Sequence, residues 1–207
     1  RQHHFVPIHP APKAMMGGDS VGKSFYDEES GRRLLWSSHS IGAACAGKCD
    51  AVLSIAKVVG YDSASQRLTL WPAEEIALLR TGVAHSLPRT ALSGPGHELT
   101  LPGAVGCRLD IEANFSLSAG FSGAVGIRVL CGAGNCSAPD ASVTVSPTAT
   151  VAALANTKMA LDPPNQTRAP QHLQLRLVVD GASLELFVNG GLASVAGAAR
   201  LSPLALQ

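Results

Sequence analysis

Between residues 171 and 191 the chain twice alternates apolar and polar side chains, and each run ends in a dipeptide suited to a tight turn. Gln171-His172-Leu173-Gln174-Leu175-Arg176-Leu177-Val178-Val179 leads into Asp180-Gly181, and Leu184-Glu185-Leu186-Phe187-Val188 leads into Asn189-Gly190. Asp-Gly and Asn-Gly tolerate the left-handed backbone that hairpin turns demand, so paired antiparallel strands are predicted. Strands with one apolar face must bury it against a second layer. Cys107 to Ala113, Val125 to Leu130 and Ser142 to Val145 alternate in the same way. Residues 98–207 are therefore expected to form a β-sandwich. The Ala-rich run from Val151 to Ala155 leaves a short helix and an irregular strand both open.

Upstream, aromatic and β-branched runs are cut by Glu28-Glu29-Ser30-Gly31 and by Asp62-Ser63-Ala64-Ser65. The first break predicts a hairpin with Ser24-Phe25-Tyr26 as one strand and Arg32 to Trp36 as its return. The second predicts another pair, residues 51–61 and 66–71. Four strands at this spacing make one blade of a propeller, whose apolar faces need neighbours. Residues 19–71 are thus expected to be a partial propeller segment, exposed unless another chain or domain covers them. Residues 1–18 carry three prolines, three histidines and no hydrophobic period, and are expected to be an extended arm. Pro72 is expected at the first position of a short helix, with Glu74 and Glu75 in its first turn, an apolar side of Ile76, Leu78 and Leu79, and Arg80 at its end. Residues 72–97 are expected to be this helix and a linker. The fold class is all-β: a partial blade, a short linker helix and a C-terminal β-sandwich.

Glycine and proline together contribute 34 residues and charged side chains only 15%, a balance that favours turns over a helical bundle. A net charge of +1 gives no electrostatic pull on a nucleic acid backbone, and no apolar run is long enough for a membrane helix. The chain begins without the basic and apolar regions of a signal peptide, as a mature product would. Asn114, Asn135 and Asn165 head Asn-x-Ser/Thr sequons, the acceptors of N-glycosylation. With five cysteines they favour an extracellular or secretory-lumen location over the cytosol. Cys45 with Cys49 and Cys131 with Cys136 are candidate local disulfides, since glycines between them help the chain turn back. Unpaired thiols, or a zinc site drawn from both pairs, are the alternatives. Cys107 leaves the count odd.

The order of SFYDEESGRRLLW, AVLSIAKVV, LWPAEEIALLR and LRLVVDGASLELFVNGG resembles the C-terminal part of glycoside hydrolase family 32, the invertases, inulinases, levanases and fructosyltransferases. The resemblance runs from about Lys23 to Pro203. It implies a five-bladed propeller that holds the active site, a linker and a C-terminal sandwich. It also implies a nucleophilic aspartate in a Trp-x-Asn-Asp-Pro motif, a stabilising aspartate in Arg-Asp-Pro and an acid/base glutamate in Glu-Cys. None of the three motifs occurs in these residues. Where the family commonly reads Trp-Gly-Trp and Ser-Ile-Pro-Arg, this chain has Trp36-Ser37-Ser38 and Ser54-Ile55-Ala56-Lys57; Ser20 stands at a usual tyrosine.

Retaining glycoside chemistry needs two carboxyl groups about 5 Å apart across the sugar. Asp27, Glu28 and Glu29 are adjacent, but a turn points them at water, so no catalytic residue is assigned. Gly17-Gly18-Asp19-Ser20-Val21-Gly22-Lys23-Ser24 matches the phosphate-loop pattern in full, yet a proline-rich arm precedes it and no helix follows. A glycine-rich approach to a strand is expected there. The histidines His3, His4, His9, His39, His85, His97 and His172 show no metal-ligand spacing, and no cofactor or metal is expected. Trp36 and Trp71 are the candidate carbohydrate contacts, with strand-end packing as the alternative. The functional expectation is a non-catalytic C-terminal portion of a β-fructofuranosidase-like hydrolase. Its partner is a missing propeller region or a second polypeptide covering residues 19–71. The alternative is an extracellular module that binds a glycan or a protein.

Overall fold

The computed structural model describes residues 19–40, 51–82, 84–101, 108–131, 139–146, 151–154, 157–160, 172–181 and 183–198. The expected arm 1–18 lies outside them, as do Cys45, Cys49, Cys107, Cys136, Asn135 and Asn165.

Sheet I contains β1 (Asp19–Asp27), β2 (Arg32–Ser40), β4 (Lys57–Asp62) and β5 (Arg67–Pro72) in that order, with β3 (Ala51–Leu53) paired to the end of β2. Its first hairpin matches the expectation: Asp27 pairs with Arg32 around the turn. The second expected strand is interrupted. Between the pairs Leu35–Lys57 and Ser38–Leu53, β2 has two residues where the opposing chain has three, Ser54 to Ala56. That extra residue is a bulge.

Sheet II runs β13 (Ala193–Ala198), β12 (Ser183–Val188), β11 (His172–Asp180) and β6 (Arg108–Ser116). Sheet III runs β10 (Thr157–Ala160), β9 (Val151–Leu154), β8 (Pro139–Ser146) and β7 (Val125–Cys131). The Ala-rich run is thus a strand as far as Leu154. Gly181 and the Asn189-Gly190-Gly191 turn all have positive φ, which supports both predicted turns.

Period-two alternation assigns the faces of sheet II. Leu173, Leu175, Leu177, Val179, Leu184, Leu186, Val188 and Val195 point to sheet III, where they join Val129, Val143 and Val145 in one core. Each such side chain contributes about 1.5–3 kcal/mol on burial. Arg176, Val178, Glu185, Phe187, Ser194 and Ala196 are also buried, because sheet I covers the opposite face. Gly191 fits only without a side chain, since a Cβ there would lie 2.2 Å from the Leu70 carbonyl oxygen. The sandwich is therefore the middle and outer layers of a three-layer stack.

The linker departs from expectation. Pro72 ends β5, paired with Lys57, and does not begin a helix. Proline is tolerated there because β5 is the edge of sheet I. The helix that follows is a single 3-10 stretch, Glu74–Leu79, with no buried residue. Its expected apolar side is not a packing face: Leu78 and Leu79 are exposed.

Candidate functional site

Sheets I and II meet along a polar seam that the bulge creates. At the bulge the Ser54 amide donates to the Ser37 carbonyl at 2.7 Å, and the Ser37 amide donates to Ser54 Oγ at 3.0 Å. The next residue to point inward is Lys57, whose side chain is only 1% exposed. Its Nζ lies 3.1 Å from Glu185 Oε2 and donates to Ser37 Oγ at 3.0 Å. The Ile55 amide donates to the other carboxylate oxygen of Glu185 at 2.7 Å. Farther along β2, His39 Nε2 lies 2.9 Å from Ser183 Oγ. Burying two charges costs several kcal/mol per ion before their attraction offsets it, so such a pair fixes one docking geometry more than it adds stability. Lys57 and Glu185 are committed to each other and closed to solvent, which leaves no room for a substrate.

A second cluster ties the linker to the same face. Trp71 meets Phe187 edge-on with centroids 6.0 Å apart, and the Arg176 guanidinium lies 5.9 Å from the Trp71 ring centroid. Arg176 also grips Asp110 with two bonds of 3.0 and 2.9 Å. Arg80 reaches Asp110 at 2.8 Å and Glu112 at 2.7 Å. Burial alone would raise the Asp110 pKa, but the hydrogen bonds from Arg176 and Arg80 outweigh it and hold the carboxyl below the ordinary range.

The residues singled out from the sequence are scattered. Trp71 is in the second cluster, while Trp36 stacks on Phe25 with centroids 5.4 Å apart. Asn114 is exposed on β6. Cys131 closes β7, in register with Pro139. Asp27 accepts a hydrogen bond from Ser30, which holds its carboxyl below the ordinary value. It stays ionised, the opposite of what a general acid requires; Glu28 and Glu29 are exposed in the turn. Lys23 lies within β1 opposite Trp36, so the phosphate-loop pattern runs through a strand. Among the described residues no three His, Cys, Asp or Glu side chains cluster as metal ligands. Lys57 and Glu185 were not anticipated. Their only signal was a lysine after Ser54-Ile55-Ala56 and a glutamate between two leucines.

Both faces of sheet I beyond the seam are open. Tyr26, Tyr61 and Leu68 lie exposed on one face, and Phe25 and Leu53 on the other.

Residues 75–199 match the family model described as glycosyl hydrolases family 32 C terminal. The acid beta-fructofuranosidase 4, vacuolar, of Arabidopsis thaliana is 34% identical over 103 residues, which is 47% of this chain and 15% of that protein. The sucrose:sucrose 1-fructosyltransferase of Festuca arundinacea is 32% identical over 109 residues, again 47% of this chain and 15% of that protein. The crystal structure of fructan 1-exohydrolase IIa from Cichorium intybus shares the fold with a TM-score of 0.66 at 19% identity, covering 88% of this chain and 42% of its own. The chain thus spans a minor part of each of these proteins.

Proposed function

Because the chain belongs to glycosyl hydrolase family 32 through its C-terminal region, we infer that it braces the catalytic propeller of a fructoside-processing hydrolase. One observation carries this reading: sheet I is anchored to the sandwich at one end of its strands, yet it leaves apolar and aromatic side chains uncovered on both faces. A sheet of this kind needs further blades on either side. Those blades come from a propeller region of the same polypeptide or from a partner chain. They bring the carboxylates that these 207 residues lack. The complete assembly splits terminal β-fructofuranosyl bonds through a fructosyl-enzyme intermediate.

In this reading residues 19–71 are the propeller segment, 72–97 the connection and 98–207 the sandwich. Trp36 and Trp71 are its carbohydrate-contact candidates. Cys131 with Cys136 and Cys45 with Cys49 are its candidate disulfides, to be checked by intact mass before and after reduction. An extracellular or secretory-lumen location accords with a matched relative named as vacuolar, and no helix among the described residues is long and apolar enough to cross a membrane. Glycan occupancy at Asn114, Asn135 and Asn165 tests it.

The decisive experiment is complementation. The 207-residue chain is mixed with separately produced blades of the family propeller, and fructose release from sucrose and inulin is followed. We expect none from either part alone and release from the mixture. Fructose released by this chain alone overturns the reading. Stable association or glycan binding without restored cleavage also overturns it, and favours an interaction module.

A further inference from the structure

Of the ionisable groups buried in the seam, only the imidazole changes charge near neutrality under ordinary conditions. His39 is 0% exposed, and its Nε2 lies 2.9 Å from Ser183 Oγ on the opposing sheet. We propose that His39 is a proton-sensitive latch: neutral, it holds the end of β2 against β12; charged, it loosens sheet I from sheet II as the pH falls.

The surroundings set the sign. From β4 the same face receives Lys57, already a buried cation. From β12 it receives Glu185, whose carboxylate is engaged with Lys57 at 3.1 Å and with the Ile55 amide. β13 also packs on β2, but Ala193–Ala198 carries no titratable side chain, and neither does Ala51–Leu53 of β3. On β1, Asp19 stands opposite His39 in register, while Arg32 and Arg33 lie at the far end of β2. A proton on His39 therefore adds a second cation to a buried face whose described carboxylate is already paired. Low-dielectric surroundings penalise that state. In the unfolded chain a histidine takes up a proton at about pH 6.5 at no such cost. The latch is thus intact above that pH and lost below it, by up to about tenfold in the folding constant per pH unit. It rests on the seam within this chain and stands independently of the proposed assembly.

The test is urea unfolding of the 207-residue chain, read by tryptophan fluorescence between about pH 7.5 and about pH 5, either side of the ordinary histidine pKa. His85, His97 and His172 remain in both proteins, so the difference between wild type and His39→Gln isolates the latch. Below about pH 6.5 the wild type loses up to about tenfold more of its folding constant per pH unit than His39→Gln. Exchange of the Ile55 amide proton accelerates over the same range. Parallel curves overturn the proposal, as does a wild type that gains stability on acidification, the result expected if Asp19 neutralises the imidazolium. Should His39→Gln not fold, the wild-type imidazole resonance decides. Titration of His39 with the Ile55 amide still protected overturns the proposal; joint loss of protection supports it.

Discussion

Sheets I and II are assembled from hairpins of similar length, yet they treat their side chains in opposite ways. Along β11 the burial runs almost unbroken from Leu175 to Val179, on both faces, whereas Tyr61 in the middle of sheet I is 61% exposed. Sheet II has a layer on either side. Sheet I has a neighbour only where β2 and β5 end and β4 begins. The contrast shows where stability and incompleteness reside: apolar area holds sheets II and III together, while charges, hydroxyls and one aromatic contact align sheet I.

Four substitutions probe that contrast by urea unfolding. The largest loss is expected at the seam, where Lys57→Met or Glu185→Leu alone strands a buried charge and costs about 3–5 kcal/mol. The double substitution should recover most of it; additive losses would show that the pair supplies net stability and not only alignment. In the outer layers Leu186→Ala, at 0% exposure, should cost about 2–5 kcal/mol through lost burial and a cavity. A loss under about 1 kcal/mol would mean that the sandwich core is looser than its packing indicates. Asp110→Asn should cost about 1–3 kcal/mol at neutral pH by removing a carboxylate that accepts from two arginines. Because folding lowers the Asp110 pKa, its contribution is present above the unfolded value of about 3.9 and lost as the pH falls through the folded value. The asparagine variant should therefore show a flatter acid limb. Leu68→Thr, on the open face of sheet I at 48% exposure, should change stability by no more than about 0.5 kcal/mol. A larger loss would mean that this face is already covered in the isolated chain.

The hairpins were legible because their turns are local chemistry. Asp27 to Gly31, Asp62 to Ser65, Asp180-Gly181 and Asn189-Gly190 each carry residues suited to a turn whatever surrounds them. Pro72 misled because a proline followed by two glutamates reads as a helix start, while the last position of an edge strand accepts proline just as well. The seam was hidden for a different reason. Glu185 alternates with leucines, which ordinarily marks a solvent face, and only a third layer turns that face inward. Lys57 and Glu185 lie far apart along the chain, so neither residue hints at the other. The family resemblance located the lysine as a departure from Ser-Ile-Pro-Arg without indicating its partner.

The three residues from Ser54 to Ala56 opposite two on β2 work as a spacer whose length sets handedness of presentation. Remove one of them while the ladder to β3 holds, and every following residue of β4 changes sides. Val58 would then stand where the ammonium group now reaches Glu185, and the lysine would turn outward. A single-codon deletion there would leave composition almost untouched and still disconnect the two halves of the molecule.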